Sequence, residues 1–235
     1  MKYIEVETYE KLSEIAKELV KYEINNNPNL VLGLATGSSP VGMYKKLIES
    51  YKNNEVSFLN VRTFNLDEYK NLEKTNNQSY RYFMDFNLFN HIDINQNNIN
   101  FLNGICDNVE LECARYDELL ENNPIDLQIL GIGVNGHIAF NEPSDHFTKG
   151  THLVDLAEET INANSRFFDS KDQVPTQAFS MGIKNIFKAK KIILLANGKN
   201  KEEAILKMLT GEITPNHPAS ILQLHPDCTV IYSKN

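Results

Sequence analysis

Short apolar runs alternate with longer amphipathic ones along this 235-residue chain. Eight runs are too short for buried helices, and several have Gly, Asn or Pro close by. They predict strands at residues 3–6, 30–35, 61–66, 99–102, 127–132, 178–181, 192–196 and 229–232. The longer runs predict helices at 9–24, 40–53, 79–89, 109–121, 201–209 and 218–222. In the first of these, Leu12, Ile15, Ala16, Leu19 and Val20 recur at helical spacing while Lys and Glu fill the opposite face. The alternation predicts an α/β fold with a largely parallel sheet covered on both faces. No internal repeat or low-complexity linker interrupts it, so residues 1–235 are expected to form one domain. The polar stretch 144–174 fits neither period and is the expected lid.

Ligands of such sheets bind beyond the carboxyl ends of the strands. The residues that directly follow a predicted strand are therefore the candidates for chemistry. After the second strand come Thr36, Gly37, Ser38 and Ser39, and Pro40 then opens a helix. Gly permits a tight turn, and the hydroxyls sit beside free N–H groups at the positive end of the helix, which makes a phosphate cradle. A plain turn with Ser39 as the helix cap is the competing reading. The pattern is neither a Walker A loop nor GxGxxG, so a small phosphorylated metabolite fits better than a nucleotide.

The third strand runs into Asp67 and Glu68. A carboxylate there could abstract a proton next to a carbonyl, or merely cap a turn. After the fifth strand comes GIGVNGHIAFNEP, in which glycines bracket Asn135 and lead to His137, with Glu142 five residues on. Such glycine density lets backbone crowd a ligand, and Asn and Glu can fix the tautomer of a histidine and tune its charge. A packed histidine is the ordinary alternative. Metal ligation with Glu142, His146 and His152 matches no zinc spacing. Arg166 in the expected lid, and Lys201 after a late apolar strand, could close on a phosphate; a solvated surface charge is the commoner fate of either.

Charge narrows the partners. Lys and Arg total 23 against 31 Asp and Glu, a net charge of -8, which argues against broad nucleic-acid or anionic-membrane binding. Three cysteines without metal spacing are expected to be reduced thiols. The first residues hold no apolar core of signal-peptide length, and no apolar run approaches membrane length. The expected location is the cytoplasm.

Five segments, ATGSSP, TFNLDEY, GxNGHIAFNEP, NSRFFD and QLHP, occur in an order and spacing that resemble the glucosamine-6-phosphate deaminase family. The resemblance runs from about Leu32 to Pro226. It implies a three-layer α/β/α sandwich and an enzyme that converts glucosamine 6-phosphate and water to fructose 6-phosphate and ammonia without a cofactor or metal. It also implies roles. Asp67 matches the base that moves a proton between C2 and C1, and His137 the group that opens the sugar ring. Glu142 and Asn135 match the partners of that histidine; Thr36, Gly37, Ser38, Ser39, Arg166 and Lys201 match the phosphate site.

Some members have Asp where this chain has Asn135, which is expected to hold the ring by a hydrogen bond and leave charge tuning to Glu142. Allosteric members have a basic cluster after the NEP segment and a longer C-terminal tail, neither of which is matched here. No activation by N-acetylglucosamine 6-phosphate is therefore expected, and the assembly is expected to be a monomer or small homo-oligomer. The alternatives are 6-phosphogluconolactonase, against which Glu142 and TFNLDEY discriminate, and a non-catalytic sugar-phosphate sensor, which would need neither acid nor imidazole.

Overall fold

A computed structural model describes residues 1–156, 161 and 174–235. Its main sheet has seven strands in the order β1-β10-β9-β6-β2-β3-β5. These are β1 (Lys2–Val6), β2 (Val31–Leu34), β3 (Arg62–Asn65), β5 (Ile99–Asn100), β6 (Leu127–Leu130), β9 (Lys191–Asn197) and β10 (Cys228–Ser233). Every pairing is parallel. A smaller antiparallel sheet joins β4 (Asp67–Tyr69), β8 (Gln177–Ser180) and β7 (His152–Asp155).

Both faces of the main sheet are covered, which is why its strands read as continuous apolar runs. On β9, Ile192, Leu194 and Ala196 enter one core and Ile193 and Leu195 the other. Helices α1 (Tyr9–Asn26) and α2 (Val41–Lys52) cover the second face, burying Leu12, Ala16, Val20, Met43 and Leu47. On α1 the Thr8 side chain caps the helix by accepting from the Lys11 N–H at 3.2 Å. The other face lies under α4 (Val109–Asn122), α5 (Ile183–Phe187) and α6 (Glu202–Thr210), through Tyr116, Ile186, Ala204 and Met208. A further helix, α3 (Tyr80–Asn87), follows β4. The result is the expected three-layer α/β/α sandwich.

The chain enters the middle of the sheet at β2 and builds outward through β3 to β5. It then returns to β6 on the other side of β2 and builds outward through β9 to β10. The strand order reverses between β2 and β6. Loops leaving those two strands diverge and open a crevice at the carboxyl edge.

All eight predicted strands are present, with one relocation. Residues 178–181 fall mostly in β8, which pairs antiparallel with β4 and β7 rather than joining the main sheet. The patterns of β4 and β7 gave no strand signal, since one has three residues and the other mixes polar and apolar. Residues 218–222 form a 3-10 helix, Pro218–Leu224. Within 144–174, residues 144–156 are tied down where the Thr151 N–H and hydroxyl donate to Asp117 Oδ1 at 2.9 and 2.5 Å. Residues 157–160 and 162–173 lie outside the described residues.

One position is packed without slack at the centre. A Cβ on Gly33 would lie 2.0 Å from Gln128 Oε1 on the neighbouring strand. Gln128 is fully buried, its Nε2 donating to Ile129 O at 2.8 Å. Gly33→Ala should therefore cost about 1–3 kcal/mol in denaturant melts. Adding Gln128→Ala should recover part of that loss, with a coupling of about 0.5 kcal/mol or more. Strict additivity of the two substitutions would contradict this packing.

Candidate active site

The turn after β2 is shaped for an anion. Gly37 has φ +86, and a Cβ there would meet nothing within 4 Å, so glycine is needed for its backbone and the space above it is open. Helix α2 begins at Val41, with Pro40 at its cap and no side chain capping it. Ser39 thus does not take the capping role. One orphan donor, the Gly42 N–H, is satisfied by Tyr9 Oη at 2.7 Å, and that hydroxyl donates to Ser38 O at 2.8 Å. Tyr9 thereby braces the cradle from α1.

The loop after β6 folds back on itself. Gly133 N–H donates to His137 O at 2.9 Å and Gly136 N–H to Gly133 O at 3.1 Å. The imidazole lies across Gly133, where a Cβ would come within 2.3 Å of the ring. His137 Nδ1 is 3.2 Å from Glu142 Oε1, close enough to pair charges but not aligned as a hydrogen bond. Asn135 differs from expectation. Its Nδ2 donates to Glu142 Oε2 at 2.7 Å and its Oδ1 accepts from the His137 backbone N–H at 3.2 Å, so it works on the carboxylate and the loop, not on the ring.

Asp67 opens β4, at the fork where the chain leaves the main sheet. It is buried, and its Oδ1 has no hydrogen-bond partner among the described residues. Burial, reinforced by the negative charge of Glu68, pushes the Asp67 carboxyl up to about 8. Nearby phenols give no relief, because Tyr44 Oη donates to Ala35 O and Tyr116 Oη to Asn65 O, each at 2.6 Å.

Lys201 follows β9 and is half-buried. Burial lowers its ammonium from the usual lysine range, and among the described residues no carboxylate contributes. An anion beside it would reverse that shift. The cradle, the histidine loop, Asp67 and Lys201 thus follow β2, β6, β3 and β9, four consecutive strands of one parallel sheet. Asp67 and His137 are rooted two strands apart, roughly 10 Å at sheet spacing, which suits a sugar phosphate between them. Arg166 lies outside the described residues. Among the described residues no group of three or more His, Cys, Asp or Glu could hold a metal ion, and no helix is long and apolar enough to cross a membrane.

A family model described as glucosamine-6-phosphate isomerases/6-phosphogluconolactonase matches residues 5–231. A glucosamine-6-phosphate deaminase of Clostridium novyi is 57% identical, over 100% of this chain and 98% of its own. One of Thermoanaerobacter pseudethanolicus is 55% identical, over 100% and 93%. The chain belongs to the glucosamine-6-phosphate deaminase family. A solved monomeric glucosamine-6-phosphate deaminase superposes with a TM-score of 0.96 at 45% identity, covering 99% of this chain and 97% of that one. The 6-phosphogluconolactonase of Thermotoga maritima shares the fold, with a TM-score of 0.76 at 17% identity over 100% and 99%.

Several residues that support this family site gave no signal in the sequence. Asn141 is buried and donates through Nδ2 to Ile138 O and Met181 O, each at 2.9 Å, and its Oδ1 accepts from the Thr148 hydroxyl. It holds Ala139 at φ +50, an uncommon conformation for alanine. Phe140 N–H donates to Ser180 Oγ at 3.0 Å, and Met181 N–H donates to Leu66 O at 2.7 Å. Ser180 and Met181 therefore brace the Asp67 segment against the histidine loop. His217 packs under Gly136, its Nε2 2.9 Å from Ala204 O, and so ties that loop to the helix that follows Lys201.

The raised Asp67 carboxyl links the site to stability. Between about pH 4 and pH 8 the unfolded chain ionises this group while the folded chain keeps it protonated, so stability falls as pH rises through that window. Asp67→Asn should raise Tm relative to the unmodified protein, and by more at pH 8 than at pH 5. An equal gain at both values would contradict a buried, strained carboxyl.

Proposed function

We propose that this chain converts glucosamine 6-phosphate and water to fructose 6-phosphate and ammonia. The observation that carries the reading is the convergence of an unpartnered buried acid, an imidazole–carboxylate pair and an open anion turn on four adjacent strand ends. The family's deaminase relatives, alike over their whole length, support it.

In this reading the phosphate sits on the turn of Thr36, Gly37, Ser38 and Ser39, with Lys201 completing its charge. Binding energy from that end positions C1 and C2. His137 shuttles the proton between the ring oxygen and the C1 hydroxyl as the pyranose opens. Glu142 stabilises the charged imidazole and Asn135 keeps Glu142 in place. The ionised form of Asp67 takes the C2 proton; the C–H electrons form C1=C2 and the carbonyl electrons move to O1, which takes a proton from solvent to give the enolamine. Return of the proton to C1 leaves an imine at C2, which water converts to the ketone and ammonia. A lid around 144–174 and a cytoplasmic location are readings of the sequence pattern alone. Arg166 at the phosphate and the absence of a cofactor rest on the family resemblance. A single-chain enzyme without activation by N-acetylglucosamine 6-phosphate is in keeping with the monomeric relative.

The direct test is ammonia release from glucosamine 6-phosphate by the purified protein, read beside C2 hydrogen exchange with solvent. The unmodified protein should do both. Asp67→Asn should lower both by about 10²–10⁴-fold. Hydrolysis of 6-phosphogluconolactone without ammonia release, or binding without turnover, would overturn the reading.

A further inference from the structure

Asp67 and Glu68 are neighbours on β4, so their side chains point to opposite sides of the strand. Both are buried, but their surroundings differ completely. Asp67 Oδ1 has no partner, whereas Glu68 is saturated with donors. Glu68 Oε1 accepts from the Tyr69 and Tyr80 N–H groups and Oε2 from the Arg81 N–H, each at 2.9 Å. Tyr80 and Arg81 are the first residues of α3, whose cap is Ser79, its side chain accepting from the Tyr82 N–H. The Glu68 carboxylate therefore sits on the positive end of a helix, with three N–H groups directed at one anion.

We propose that Glu68 is a positioning residue for the proton transfer at C2: its carboxylate is held on the α3 side of β4, and this aims the Asp67 side chain into the crevice. This rests on the assignment of Asp67 as the base. The geometry supports it twice. Two of the three N–H bonds, those from Tyr80 and Arg81, lock β4 to α3, and β4 is only three residues long, so the direction of Asp67 is set by its neighbour. Two adjacent buried carboxylates also resist double ionisation, and the one with donors keeps the charge. Glu68 itself is raised to about 7 by burial, against the opposing pull of its three N–H bonds and the Arg81 charge.

The other ionisable groups acting on this pair do not change the outcome. Tyr44 from α2 and Tyr116 from α4 act on Asp67, and Tyr80 from α3 on both acids. All three are buried phenols whose titration is pushed upward. From α3, the Arg81 side chain is committed to Asp85 at 3.0 Å. Across β8, Asp67 faces Ser180 and Glu68 faces Phe179, neither of which ionises.

The test compares pH profiles of kcat/KM for Glu68→Gln, Glu68→Asp and Ser79→Ala, with Asp67→Asn alongside. Removing the charge should let Asp67 ionise more readily. The acidic limb for Glu68→Gln should therefore move to lower pH by about 0.5–1 unit, with a reduced plateau. Glu68→Asp keeps the charge and should leave the limb in place while lowering kcat more than it changes KM. Ser79→Ala loosens the same helix end without touching the pair, so it should lower Tm and leave the limb unmoved. An unmoved limb in Glu68→Gln, or the same displacement in Ser79→Ala, would overturn the proposal. If Glu68→Gln does not fold, the 13C carboxyl titration of the unmodified protein decides, and Asp67 ionising before Glu68 would refute it. Should Asp67→Asn retain the acidic limb at full amplitude, the assignment of the base fails instead, which separates the two claims.

Discussion

Strand β2 bonds in parallel to β3 on one side and β6 on the other, and the rest of the site depends on that double pairing. Parallel strands share one carboxyl edge, so a turn, an acid and an imidazole from distant stretches of sequence are delivered to the same place. The reversal of strand order at β2 and β6 separates the two loops and leaves room between them. Gly33 at the middle of β2 has no side chain, and that is what admits Gln128 on the adjoining strand. A sheet with one of these strands reversed would send its loop to the opposite edge.

The site is polarised rather than neutral. Among the described residues, none donates a hydrogen bond to Asp67 Oδ1 and no carboxylate acts on the half-buried Lys201. Each group is held away from its ordinary protonation balance by burial. A ligand that carries a phosphate would relieve the second. The protein meets the cost of the empty state elsewhere, in two layers of helix that bury the apolar faces of the sheet.

Much of this was legible from residue pattern. Apolar runs bounded by turn residues located every strand of the main sheet, because strands buried on both faces have no polar side to confuse the signal. The residues after those strands named the cradle, Asp67, His137 and Lys201. What escaped was whatever depends on contacts between remote segments. Nothing local in residues 178–181 tells that they leave the main sheet to brace β4 and the histidine loop. Nothing in Asn135 distinguishes a bond to the ring from a bond to Glu142. Asp67 and Glu68 read as an undivided acidic pair until α3 supplied donors to only one of them.

The most direct measurement is a crystal structure with an open-chain analogue of glucosamine 6-phosphate in which C1 is reduced to an alcohol. The account predicts its phosphate on the turn of Thr36, Gly37, Ser38 and Ser39 within reach of Lys201. It also predicts C1 and C2 between the Asp67 carboxyl and the His137 ring. A phosphate bound elsewhere, or a sugar chain that touches only one of those two side chains, would contradict it.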